Sequence, residues 1–290
     1  MKKDKLHIHW YPGHIAKAEK KLKEQLSLVD AVIEVVDARI PISSRYDNIT
    51  RLLNQKPRFL LINKSDLVDR NELHKYIKYL EHETKVTVLP TTSLNLKDVK
   101  AIVNESVRLS EPKIQSLIAK GLLRRPARIM VVGLPNVGKS SIINKLTISS
   151  KTKTGAKAGV TRQQQWVRIN PQLELLDTPG IIPMKQEDQQ KAIKLAFVNS
   201  VGENAYSNEF VARALLDILN DKQKEVFKQF YNIAQDVDLT VENIAFSRKW
   251  LKQRNAPDIE RTCAYILKDF RAGKIGKFIL DEIPQQPAQT

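Results

Sequence analysis

Ile129-Met-Val-Val132 runs directly into Gly133-Leu-Pro-Asn136-Val137-Gly138-Lys139-Ser140-Ser141, and residues 139–147 continue with helical spacing. An apolar strand, a loop of the form G-x-x-x-x-G-K-S and a helix start, in that order, make a phosphate cradle. The glycines let the backbone N–H groups around Val137, Gly138 and Ser141 close on phosphate oxygens at the positive end of the helix. Lys139 carries an ammonium to the outer phosphates, and the Ser140 hydroxyl is a ligand type suited to Mg2+. Outward from this junction, residues 29–36, 59–62, 86–89, 167–169 and 173–176 read as short strands, several continuously apolar, as strands covered on both faces are. Residues 17–28, 72–83 and 96–109 between them have helical spacing. The alternation predicts an α/β fold on an open, mostly parallel sheet.

Four more segments supply what a phosphate cradle lacks. Leu175-Leu176-Asp177-Thr178-Pro179-Gly180 ends an apolar strand with a carboxylate that can hold the metal through water, while the Gly180 N–H meets the last phosphate. Thr161 stands where a switch threonine would join Ser140 and Asp177 around Mg2+. Asn63-Lys64-Ser65-Asp66 follows the strand Phe59-Leu-Leu-Ile62. A carboxylate there accepts from both N1–H and the exocyclic amine of guanine, a pair adenine does not offer, so GTP is favoured over ATP. Thr92-Ser93-Leu94 would bring a backbone contact to guanine O6. In small GTPases the phosphate loop comes first; here the base motifs precede it, so the full set is present but rotated. Such rotation is tolerated because each loop needs a position at a strand end and not a position along the chain.

Composition bounds the rest. At 290 residues with 42% hydrophobic and 28% charged residues, the chain is of globular type, with two domains expected, residues 1–184 and 185–290. A single cysteine, Cys263, excludes a disulfide framework or Cys-rich zinc site. No apolar run is long enough to span a membrane, and the basic N-terminal residues lack an apolar signal core, so a bacterial cytoplasm or the equivalent organelle compartment is expected; a monomer is expected as well. Forty-eight Lys and Arg against 32 Asp and Glu leave +16, which points to a polyanionic partner. Residues 112–173 hold no acid and are expected to face phosphate. After Met184 the pattern turns helical over residues 189–201, 209–219, 224–233, 242–253 and 258–272, a C-terminal all-helical domain with Asp258 as N-cap and Gly273 as stop. Residues 284–290 are expected to be disordered. Arg248, Lys249, Lys252 and Arg254 crowd one predicted helix, Lys274 follows, and Trp250 offers a stacking surface, the composition of an RNA-binding face.

The rotated set, together with Trp10-Tyr-Pro-Gly-His14-Ile-Ala-Lys-Ala18, Val36-Asp37-Ala-Arg39-Ile-Pro41 and Asp269-Phe-Arg-Ala-Gly-Lys-Ile-Gly276, resembles the circularly permuted GTPases of ribosome biogenesis over nearly the whole chain. Tyr11 and Ile15 stand where Phe and Met are common. The resemblance implies a GTP-hydrolysing factor that binds precursors of the large ribosomal subunit and their rRNA through the helical domain. It also implies that His14 approaches the γ-phosphate and that Asn136 ligates K+. His14 matters because Gly180 is followed by Ile181, which can neither donate to nor accept from water. Asp37 and Arg39 read as a local ion pair. The alternative is an RNA-binding scaffold whose GTP site senses nucleotide with negligible turnover.

Overall fold

The computed structural model describes residues 13–46, 49–92, 97–154, 166–176, 180–181, 188–202 and 205–284, with side chains omitted for 13–19, 97, 149–154 and 180–181. In chain order the first half runs α1 (Gly13–Leu26), β1 (Ala31–Asp37), α2 (Ile49–Leu52), β2 (Arg58–Asn63), α3 (Arg70–Thr84), β3 (Val88–Pro90), α4 (Lys97–Ile118), β4 (Ala127–Gly133), α5 (Lys139–Thr154), β5 (Trp166–Asn170), β6 (Leu173–Leu176) and β7 (Gly180–Ile181). The helical half follows as α6 (Gln189–Phe197), α7 (Asn208–Asp217), α8 (Asp221–Tyr231), α9 (Val241–Ser247) and α10 (Ile259–Arg271).

The sheet order is β3-β2-β1-β4-β6-β5, with β7 paired to β4. Only β5 is antiparallel. β1, Ala-Val-Ile-Glu-Val-Val-Asp, is buried along its whole length, as the central strand of a sheet covered on both faces must be. Its register with its neighbours places the site. Asp37 lies opposite Asn63, Val35 opposite Gly133, Ile62 opposite Pro90 and Val132 opposite Gly180. Loops leaving the carboxyl ends of parallel strands share one edge, so the base, phosphate and Gly180 segments converge whatever their order along the chain.

Three elements depart from the sequence reading. α4 continues past residue 109 through Pro112 to Ile118, because burial of Ile114 at 2% exposure outweighs the one hydrogen bond that Pro112 cannot donate. The predicted helix over 242–253 stops at Ser247, with Arg248 as its cap. Lys249 then turns left-handed at φ 54°, Leu251 pairs with Pro257 as an antiparallel bridge, and Arg254 is left-handed at φ 61°. The basic residues there line a loop and not one helix face. His14, ahead of the helical spacing read from residue 17, falls in the first turn of α1.

The helical half packs α7, α9 and α6 against α10. Cys263, Ile266, Leu267 and Phe270 are buried, and Ile259 packs on that core. Asp258 accepts from the Arg261 N–H, as an N-cap does. Gly273, at φ +68°, ends the helix, and a Cβ there would sit 2.6 Å from Leu67 Cδ2, in the turn carrying the base motif. Beyond it the chain returns to the sheet. Ile279 joins Val36, Leu60, Ile62 and Leu80 in the second apolar cluster. Asp281 accepts from the Ile42 and Ser43 N–H groups at 2.8 Å, its carbonyl accepts from the Tyr76 hydroxyl, and Lys194 Nζ lies 3.1 Å from its carboxylate. Residues 285–290, most of the expected disordered tail, lie outside the described residues.

Among the described residues no helix is long and apolar enough to cross a membrane, and no group of three or more His, Cys, Asp or Glu could hold a metal ion. The acid-free stretch is not uniformly turned to phosphate. Arg124 pairs with Glu111, Arg125 with Asp30, Arg128 with Glu174 and Lys145 with Asp98, all acids from outside it.

Candidate nucleotide-binding site

The phosphate loop leaves β4 and closes into α5 through left-handed turns at Asn136 (φ 57°) and Gly138 (φ +101°). Gly138 is required twice over: by its φ, and because a Cβ there would lie 2.0 Å from Asn63 Nδ2. Gly138→Ala is therefore expected to weaken GTP by about tenfold or more through backbone strain and a displaced Asn63, as measured by calorimetric titration. Lys139 is 7% exposed and donates to the Leu134 carbonyl at 2.7 Å. Burial pushes its ammonium down to about 8, and no carboxylate pairs with it among the described residues. A desolvated cation at a helix N-terminus is stabilised by an incoming anion. Ser140 and Ser141 are exposed on the first turn of α5; Val137 is buried.

Asn63 ends β2 at 1% exposure and donates from Nδ2 to the Val137 carbonyl at 2.9 Å, which stitches base motif to phosphate loop. The amide's second N–H can face a purine nitrogen. Lys64, left-handed at φ 61°, donates to the Asn136 carbonyl at 2.9 Å and to Asp37 Oδ2 at 2.8 Å. Ser65–Leu67 forms a single 3-10 turn that leaves Asp66 exposed. Across from it, the Thr92 carbonyl accepts from Lys145 at 2.6 Å. The Ser65 N–H donates to the Thr91 carbonyl at 3.1 Å, so the turn that carries Asp66 and the segment ending at Thr92 are bonded neighbours.

The Asp37–Arg39 pair is present and wider than expected. Arg39 bonds both Asp37 oxygens, at 2.9 and 2.7 Å. Burial opposes the charge on Asp37, but Arg39 and Lys64 hold its carboxyl down at about 2. Arg39 also donates to the Arg271 carbonyl at 3.2 Å and accepts from the Leu280 N–H at 2.8 Å. On the other side, Asn136 Nδ2 donates to the Asn199 carbonyl at 2.6 Å, and Arg271 donates to the Phe197 and Ala196 carbonyls at 3.1 and 2.9 Å. The phosphate loop, through Asn136, and the segment after β1, through Arg39, thus each bond to the helical half. Asn199 carries no motif that could have singled it out, whereas Arg271 lies within the Asp269–Gly276 segment, where nothing pointed to this contact.

Ser93, Leu94, Thr161 and Asp177 lie outside the described residues, as does the His14 side chain. The backbone of α1 packs beside β7, whose Gly180 pairs with Val132 at the end of β4. Of the basic residues expected to meet RNA, Arg248 lies 5.3 Å over the Phe230 and Tyr231 rings and donates to the Phe230 carbonyl, a packing role. Lys252 and Lys274 make surface pairs with Asp258 and Asp269 at 3.6 and 3.4 Å. Lys249 and Arg254 are exposed. Trp250 stacks on Tyr265 at 4.7 Å, with Arg261 over both rings.

The family model described as 50S ribosome-binding GTPase matches residues 128–245. Ribosome biogenesis GTPase A of Priestia megaterium is 38% identical over 279 residues, covering 95% of this chain and 96% of that one. The protein of the same name from Bacillus cereus is 35% identical over 284 residues, covering 96% and 95%. The GDP-bound structure of TM YlqF is similar at TM-score 0.65 and 26% identity, covering 90% of this chain and 98% of that one. Likeness that runs from end to end in both chains, on a sheet whose rotated motifs still meet at one edge, means that this chain belongs to the ribosome biogenesis GTPase A family.

Proposed function

We propose that the protein hydrolyses GTP to GDP and phosphate while bound to precursors of the large ribosomal subunit, that particles and K+ stimulate turnover, and that hydrolysis releases it. The observation that carries this reading is the contact of the phosphate loop with the helical half, Asn136 to Asn199, beside a second from Arg39 to Arg271 that reaches the base motif through Asp37 and Lys64. A change at the phosphate loop has a short, bonded route to the RNA-facing half. The names of the relatives, ribosome biogenesis GTPase A, supply the particle.

In the chemical step, water attacks the γ-phosphorus, the bond to the β-bridging oxygen breaks, and GDP leaves as inorganic phosphate forms. Lys139 and the α5 N-terminus stabilise the charge that gathers on the phosphate oxygens. Because Ile181 cannot orient water, that task falls to His14. Ser140, Thr161 and Asp177 are the residues to hold Mg2+. Held by them, the ion would supply positive charge against which the phosphate charge can develop. Asn136 commits Nδ2 to Asn199, so Oδ1 is the oxygen it would offer K+. The RNA-binding scaffold reading is supported by Ile181, and turnover with and without large-subunit particles decides between the two: hydrolysis that particles leave unchanged and negligible would establish the scaffold.

RNA binding is assigned to the loop 249–254 together with Arg261 and Tyr265, since Arg248 is committed to packing. Exposed pairs such as Lys252–Asp258 are weak enough to yield to phosphate. Reversing Lys249, Lys252 and Arg254 to Glu is expected to abolish particle association at physiological salt and to flatten the salt dependence by about 0.7–0.9 log units per lost phosphate contact. Sedimentation with particles at low and high salt measures this, with circular dichroism as the folding control. A folded triple variant with the parent's salt slope would place the contact elsewhere, and GTP affinity should not move.

A further inference from the structure

Asp37 has no part in the chemical step and none in the apolar core, yet its carboxylate is fully buried at the end of β1. Oδ1 accepts from the Arg39 N–H at 3.1 Å and from Arg39 Nε at 2.9 Å. Oδ2 accepts from Arg39 Nη2 at 2.7 Å and from Lys64 Nζ at 2.8 Å. All four acceptor positions of the carboxylate are thereby filled, three by Arg39 and one by Lys64. Arg39 is anchored in turn, its side chain on the Arg271 carbonyl at 3.2 Å and its own carbonyl on the Leu280 N–H at 2.8 Å.

Lys64 passes this fixity to the phosphate loop. Its Nζ also donates to the Asn136 carbonyl at 2.9 Å, and beside it Asn63 Nδ2 donates to the Val137 carbonyl at 2.9 Å. Two consecutive carbonyls of the loop are therefore drawn toward the base motif. In a trans peptide the N–H that follows a carbonyl points the opposite way. The N–H groups of Val137 and Gly138 are accordingly turned away from the base motif, which leaves them to the phosphates that such a loop wraps. Stability alone does not call for the buried charges, since apolar residues of the same volume commonly match or exceed an ion pair. What Asp37 gives is direction, because an ammonium bonded on two sides holds the carbonyl it meets in one orientation.

We propose that Asp37 is a positioning residue for phosphate binding: by fixing the Lys64 ammonium against the Asn136 carbonyl, it aims the Val137 N–H, next to the Gly138 N–H that Asn63 aims, at the β-phosphate. The proposal rests on the reading of residues 133–140 as a phosphate loop. Its test is the affinity of the full-length protein for GDP and for GMP, which lacks the β-phosphate, by calorimetric titration with circular dichroism as the folding control. Asp37→Asn is expected to weaken GDP by about tenfold and GMP by no more than about twofold, the scale of one well-placed bond to a charged group. Lys64→Met should do the same, and adding Asp37→Asn to Lys64→Met should narrow the GDP-to-GMP ratio little further, since both changes cut one path. If Asp37→Asn leaves Arg39 buried without a counter-charge and does not fold, Asp37→Asn with Arg39→Gln removes both charges together and should narrow the ratio equally. Folded variants in which GDP and GMP weaken alike, or neither weakens, would overturn the positioning role, as would a second, additive loss of the ratio in the Lys64→Met background. A parent protein that binds GMP as tightly as GDP would overturn the phosphate-loop reading and the positioning role with it. A parent ratio that survives intact in Asp37→Asn overturns the positioning role alone.

Discussion

Asp66→Asn is expected to weaken GTP by ~10³-fold or more and to bring xanthosine triphosphate from negligible to useful affinity, because a site built around substrate N–H donors rejects a mismatched partner on that scale. On that reading the carboxylate would accept from guanine N1–H and the 2-amine together. Asparagine presents one donor face, which clashes with the 2-amine and suits the xanthine carbonyl. The local structure should survive the change. Asp66 is exposed, and the turn it occupies is held by backbone bonds from Ser65 N to Thr91 O at 3.1 Å and from Leu67 N to Lys64 O at 3.0 Å. Titration of both nucleotides measures the switch. Unchanged GTP affinity in a folded variant would mean that the base is read elsewhere.

The second large effect concerns chemistry apart from binding. His14→Ala is expected to hold GTP affinity within about threefold while lowering particle-stimulated hydrolysis by roughly 10²-fold or more, the usual consequence of losing a positioned proton-handling group. The expectation draws on three particulars: Ile181 follows Gly180, α1 packs beside the strand that holds Gly180, and His14 sits in the first turn of α1. Single-turnover hydrolysis of bound GTP with and without large-subunit particles separates this from slower release. Equal single-turnover rates in parent and variant would remove His14 from the reaction. Exchange of K+ for Na+ should slow the parent, and slow Asn136→Ala less, since that variant has already lost the Oδ1 ligand.

Much of this was legible in the sequence because the signals are local. A strand end, a glycine pattern and a lysine at fixed spacing suffice for the phosphate loop, and Asp258 and Gly273 announce the ends of α10 through cap chemistry that involves only near neighbours. Local signals failed where distant burial decided. The Ile114 side chain carries α4 through Pro112, and the Leu251–Pro257 bridge breaks what spacing alone presents as a helix over 242–253. Four basic residues that look like one helix face therefore divide between packing, as Arg248 does, and an exposed loop, as Lys249 and Arg254 do.

By itself the sequence determined the class of fold, the nucleotide, the rotated order of the motifs and the family, since each of these rests on residue types at short fixed intervals. Only the tertiary structure decided how the two halves are joined and what stands behind the base pocket. Arg39 reaches Arg271 across 232 positions, Asn136 reaches Asn199 across 63, and Lys145 reaches Thr91 across 54. No pattern in a linear chain marks such partners, because the bonds exist only after the parallel strands have aligned their carboxyl ends and the strap through Ile279 and Asp281 has closed the helical half against the sheet.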